Sequence, residues 1–160
     1  MSQERTAEDW GRVAVSLPGW RWMPGTVTIG DIRLLDVYPE SGDWTGVFAS
    51  KGGTVLVAGF EDHDLPDPDD PATAGCLLAL VQGAIDVSFQ CSAWWTTYNV
   101  RCSRLTVGMT GDGDKWEVRA HGHDPHHNAG WSKPVATGSS LGRACIAAAE
   151  ALGRWPGGEE

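Results

Sequence analysis

Apolar residues fall into helical spacing at three places along the chain and into alternation between them. In "TAEDWGRVAVSL", Trp10, Val13, Ala14 and Leu17 share one helical face. Thr6 stands at the N-cap and Asp9 follows three residues on, as in a capping box. "LPG" ends this helix, and Trp20 and Trp22 alternate around Arg21 before Met23-Pro24-Gly25 halts the segment. "TVTI" and "IRLLDVY" read as strands joined at Gly30-Asp31, a pair suited to a type II′ turn. "DWTGVFAS" and "TVLVAGF" flank Lys51-Gly52-Gly53 as a second hairpin.

Pro66, Pro68 and Pro71 forbid regular structure before residue 71. There Asp70 is placed to cap a second helix, with Pro71 at its first position, running to about Gly83. Strands are then predicted at "IDVSFQ", "AWWTTYNV", "SRLTVGM" and "KWEVRAH", the last two joined by the turn "TGDGD". Leu105, Val107 and Met109 face one way in the first of that pair, and Trp116, Val118 and Ala120 do so in the second. The last helix starts at Ser139 or Ser140 and turns Leu141, Cys145, Ala148, Ala149 and Leu152 inward, and "WPGGEE" reads as fraying. Helices at both ends and in the middle, separated by runs of short strands, predict an α+β fold with a mostly antiparallel sheet. Residues 1–155 form one domain on this reading and 156–160 a flexible tail.

Charge narrows the partners. Twelve Lys and Arg against 21 Asp and Glu give a formal −9, and the densest basic spacing is Arg101 with Arg104. Binding to nucleic acid or anionic membrane draws on clustered cations that release counterions, so neither is an expected partner; a protein with a basic surface is. "KWEVRAHG" and "GSSLGRACIAAAEAL" resemble the closing strand and helix of a double-stranded RNA-binding domain in architecture. The lysine cluster that would open that helix is replaced by Ser139-Ser140-Leu141-Gly142-Arg143, which removes the phosphate grip. "MSQERTAEDW" lacks the basic flank and apolar core of a signal peptide, and no apolar run nears the ~20 residues of a membrane span. Cys76, Cys91, Cys102 and Cys145 form no CxxC pair and read as buried thiols, which makes the cytoplasm of the host cell the expected location.

Four of the five histidines fall within "HGHDPHH", residues 121–127. His121 and His123 extend the polar row of the "KWEVRAH" strand, and Pro125 breaks that strand to leave His126 and His127 in a loop. A polar loop accounts for this composition. So does a zinc site in which His121 and His123 form a ligand pair completed by His126, His127 or Asp124, with an open position for an acidified water. Zinc is the one cofactor the sequence suggests, and a metal-dependent hydrolase or metal-binding protein is the alternative function it implies.

"EDHDLPDPDD" packs six carboxylates into ten residues ahead of the middle helix. Some complement that helix's dipole. The prolines also hold the chain extended, so that Asp62, Asp64, Asp67, Asp69 and Asp70 form a candidate docking strip for a basic partner. Nine tryptophans exceed what three phenylalanines and two tyrosines would lead one to expect. Trp10 and Trp116 suit the core, whereas Trp20, Trp22, Trp44, Trp94 and Trp95 are candidate anchors for a partner or the walls of a ligand pocket.

"LPGWRWMPG" (Leu17 to Gly25) and "LPDPDDPATAGCLLALV" (Leu65 to Val81) resemble a group of short phage and prophage proteins with the patterns LPxWRWMPGM and LPDLxDPATLGCLLALV and an alanine-rich last helix. Ala74 stands where that group has leucine, and the strand region between the motifs is unmatched. The resemblance implies a phage or prophage setting and no catalytic residues. Together these readings give an accessory protein that binds a host protein without turnover, an inhibitor of a host defence or nucleic-acid-processing system being the expected kind.

Overall fold

The computed structural model describes residues 3–40, 43–49, 55–59, 65–82, 88–93, 96–125 and 127–156, with backbone alone at 38–40, 43–45, 56–59, 88–93 and 96–100. Among these residues there are three α-helices and two antiparallel sheets, an α+β architecture as the sequence predicts. The first sheet is a meander of β1 (Arg33–Glu40), β2 (Asp43–Ala49) and β3 (Val55–Gly59). The second is a meander of β4 (Ser88–Ala93), β5 (Thr96–Met109), β6 (Trp116–Asp124) and β7 (Ala129–Gly138). Helix α1 (Ala7–Ser16) precedes the first sheet, α2 (Pro71–Val81) lies between the two in sequence, and α3 (Leu141–Leu152) follows the second. No helix among the described residues is long and apolar enough to cross a membrane.

Each helix starts where its capping residues dictate. Asp9 N–H donates to Thr6 Oγ1 at 3.1 Å and Thr6 N–H donates back to Asp9 Oδ2 at 3.0 Å, which closes the capping box of α1. Asp70 Oδ1 accepts from the N–H groups of Ala72 and Thr73 at the head of α2, with Pro71 in the first turn. Ser140 Oγ accepts from Arg143 N–H at the head of α3, which ends at Gly153 in the left-handed region, φ 78°.

Helix α3 is the centre of the core. Its Ala144, Cys145, Ile146, Ala148 and Ala149 are fully buried, and it packs against α1, α2, β6 and β7. Small side chains on α3 allow this close approach on several sides. Leu77, Leu80 and Val81 of α2, Leu105 of β5, and Val118 and Ala120 of β6 complete the cluster. Burial pushes the Cys145 thiol up to about 12, so it packs as a small apolar group and carries no thiolate at neutral pH.

Several expectations need correction. "TVTI" is no regular strand: Val27 and Thr28 make isolated bridges to Arg33 and Pro66. Its turn places Asp31, not Gly30, in the left-handed region (φ 63°), with Asp31 N–H donating to Thr28 O and Thr28 N–H to Ile32 O. A three-residue loop with its left-handed residue last replaces the two-residue II′ turn. The two strands read across 93–109 are one 14-residue strand, kept continuous by an irregularity in register between Cys102 and Arg104. Met109, expected inward, is 48% exposed at the end of that strand. Strand β7 was not anticipated. Trp155, read with the fraying tail, is fully buried, because its indole N–H reaches the Ala14 carbonyl at 2.9 Å and its ring packs on Trp20.

Candidate functional site

The second sheet separates two environments. Cys102, Leu105, Val118 and Ala120 turn to the helices, and the alternate positions of the same strands turn away from them. Register brings Arg104 of β5, His121 of β6 and Ser132 of β7 side by side on that outward face, with His123 opposite Gly130 one step further along. Arg104, His121, His123, Trp131, Ser103 and Ser132 line a depression of about 550 Å³, floored in part by Gly122 and Gly130. A Cβ on Gly122 would lie 2.5 Å from Trp131 Nε1 and 2.3 Å from the Arg101 carbonyl, so only glycine lets the Trp131 ring lie against β6 at this point.

His121, His123 and His127 do not converge on one point. His121 Nε2 lies 2.6 Å from Thr106 Oγ1 on the outward face, and His123 is exposed beyond it. Asp124 returns to the buried side and is 8% exposed; its Oδ2 lies 2.7 Å from His127 Nδ1. The strand thus sends His121 and His123 one way and the Asp124–His127 pair the other. His126 lies outside the described residues. Among the described residues no three His, Cys, Asp or Glu side chains come together as a metal-ligand group.

The carboxylates ahead of α2 are engaged within the fold as far as they are described. Asp69 takes two hydrogen bonds from Arg143, Nε at 2.9 Å and Nη2 at 2.8 Å, and one from Ser140 Oγ at 2.8 Å. Arg143 thereby holds the Asp69 carboxyl below its ordinary range. Asp70 is spent on the α2 cap, and Asp67 Oδ1 accepts from Asp69 N–H at 3.0 Å. Asp69 thus clamps the 65–70 segment to α3 while remaining exposed, and Asp67 and Asp70 bond within residues 67–73, so part of the expected docking strip is committed to the chain's own contacts. Asp62 and Asp64 lie outside the described residues.

This clamp has a testable pH signature. A carboxylate with a depressed folded pKa stabilises the protein above the unfolded aspartate range and loses that contribution as pH falls through the folded value. Asp69→Asn is expected to cost about 1 kcal/mol at neutral pH, the Asp69 side chain being 41% exposed and therefore screened. The gap between wild type and variant closes below the ordinary aspartate range, as read from urea midpoints across the acid limb. A gap that stayed constant into strong acid would remove the ion pair from the account.

The tryptophan anchors divide. Trp20 is half-buried against the core, edge-on to Trp22 at 5.3 Å and tilted on Trp155 at 5.8 Å, with its own Nε1 buried and without an acceptor among the described residues. Trp20 and Trp22 therefore belong to an internal aromatic stack more than to an open surface. Trp44 is in β2 opposite Pro39, its side chain outside the described set, and Trp94 and Trp95 lie outside the described residues. What the sequence reading missed is Trp131, whose strand was not foreseen, and Arg104, which stood out only as part of a basic pair.

Exposed apolar side chains cluster in sequence elsewhere. Ile29 is 38% and Leu35 45% exposed, each near an exposed carboxylate, Asp31 and Asp36. Leu35 sits at an irregularity in the β1–β2 register, between Leu34, which is fully buried, and Asp36. Alternation with the buried Leu34 turns the second leucine of "RLLD" outward, and the bulge leaves it without a register partner in β2. Comparison of the chain with protein-family models, curated proteins and solved structures returned no match.

Proposed function

We propose that this chain is an accessory binding protein of phage or prophage, the setting its two motifs imply, and that it acts by engaging a basic host protein without turnover. The single observation that carries the reading is a pair of exposed apolar side chains, Ile29 and Leu35, each close in sequence to an exposed aspartate, with the exposed Arg33 between them, on a chain with a formal −9. Ion pairing within the fold leaves that net charge unchanged, so a long-range negative field persists to steer a cationic partner. Leu35 and Ile29 supply what a field lacks, apolar contact at close range. They take the place of Trp20 and Trp22 as anchors, and Asp31 and Asp36 take the place of the clamp carboxylates. A host defence or nucleic-acid-processing protein suits this surface, because such machinery is basic where it grips its substrate.

The test is capture from host lysate with wild type, Leu35→Ser and Asp36→Lys side by side, followed by association kinetics with the protein recovered. One partner is expected with wild type and a reduced yield with both variants. Its association rate is expected to fall by about tenfold between low and high salt. A partner held equally by all three proteins, with salt-insensitive association, overturns the assignment of this surface.

A further inference from the structure

We propose that the depression on the outward face of β5–β7 binds the phosphate group of a small organic phosphate monoester, gripped by Arg104, His121 and His123. The proposal does not rest on the host-protein reading: Arg104 lies on the second sheet, while Ile29 to Asp36 belong to the turn and edge of the first.

The first argument is charge placement. In a chain with 21 Asp and Glu and 12 Lys and Arg, the lining of this depression among the described residues holds one guanidinium, two imidazoles and two hydroxyls, and no carboxylate. The second is the state of Arg104. Arg5, Arg12, Arg119 and Arg143 are each held by a carboxylate of the same chain. The exposed Arg104 side chain has no hydrogen bond or ion pair with any described residue. Its five donors, arranged as a planar fork, are matched by phosphate oxygens.

Geometry supplies the rest. Arg104 and His121 are register partners on adjacent strands, and His123 follows His121 on the same face, about 6–7 Å further along β6. The three backbone positions are thus fixed on a hydrogen-bonded sheet, and the His121 ring is further held by Thr106. His121 Nε2 is engaged by Thr106 Oγ1. That contact occupies Nε2 and leaves Nδ1 as the ring nitrogen open to a ligand. A phosphate monoester offers three terminal oxygens, one for each cationic or imidazole donor, where a carboxylate offers two. The glycines at 122 and 130 contribute no side chains, so the 550 Å³ exceeds what the phosphate itself fills. An organic group would extend over the glycine backbone beside the phosphate.

Calorimetric titration with phenyl phosphate, inorganic phosphate and benzoate tests the proposal on wild type, Arg104→Ala, His123→Ala and Lys115→Ala. Lys115 is exposed and stands just before the other end of β6, so its variant removes one positive charge without touching the depression. Phenyl phosphate is expected to bind best and benzoate worst. Arg104→Ala weakens the phosphate ligands by about tenfold or more, and His123→Ala weakens them by a smaller factor. Lys115→Ala leaves binding unchanged, and Arg104→Ala leaves thermal stability and host-protein capture unchanged. Binding of inorganic phosphate alone overturns the monoester assignment. No binding of any phosphate, or equal losses with Arg104→Ala and Lys115→Ala, overturns the site.

Discussion

Replacing Trp155 with alanine is expected to destabilise the protein by about 3–5 kcal/mol and lower its Tm by about 10 °C. The ring is fully buried in the cluster built around α3. Its Nε1–H donates to the Ala14 carbonyl at 2.9 Å, in the buried last turn of α1 where carbonyls lack helical partners. The Trp155 backbone N–H donates to the Pro18 carbonyl at 2.8 Å, and its own carbonyl lies so near Gly19 that a Cβ there would stand 2.7 Å away. One residue thus fastens the end of the last helix to the end of the first. Truncation opens a cavity beneath Trp20 and strands the Ala14 acceptor together. Trp155→Phe separates the two effects: most of the apolar volume stays, and the loss shrinks to the unpaired carbonyl, about 1–3 kcal/mol. Urea unfolding of both variants reads the difference. A cost for the alanine variant within about 0.5 kcal/mol, the range of ordinary surface changes, contradicts the packing of residues 153–156.

That residue also shows where the sequence was legible and where it was not. Helix starts were readable because each is a local event: Thr6 with Asp9, Asp70 with Pro71, and Ser140 each act on groups within three residues. The β5–β6 hairpin was readable for the same reason, with Gly113 at φ 74° in its turn. Trp155 was not, because nothing within "GRWPGG" reveals that Ala14, 141 residues away, offers an acceptor. Strand β7 was hidden by its own composition. "AGWSKPVATG" holds Pro134 and two glycines, residues depleted in strands, and it is tolerated because β7 is the sheet's edge. Losing that strand from view removed Trp131, Ser132 and Gly130 from consideration, so His121 and His123 read as the end of a polar row where the structure makes them part of the lining of a depression. The acidic segment was legible in part: Asp69 is exposed, as its charge density suggests, but it is paired with Arg143, 74 residues away, which no local pattern reveals.

The clamp formed by that segment sets up the second large effect. Gly142→Ala is expected to cost about 3 kcal/mol, although alanine favours a helix by about 1 kcal/mol over glycine. A Cβ at position 142 would stand 1.9 Å from the Pro68 carbonyl oxygen and 2.7 Å from its carbon, which is backbone that cannot swing aside. Relief requires the first turn of α3 to lift away from 66–68. That movement stretches the Ser140 and Arg143 hydrogen bonds to Asp69 in the same stroke. Gly75→Ala is the matched control, since a Cβ there meets nothing within 4 Å in the middle of α2, and it is expected to stabilise by about 1 kcal/mol. If the clamp bears on the close approach as argued, Asp69→Asn costs less in the Gly142→Ala background than in wild type, because the ion pair is already loosened. Additive costs across that cycle mean that the helix start and the aspartate contact segment 66–70 independently, and that the ion pair is an ornament on a packing contact.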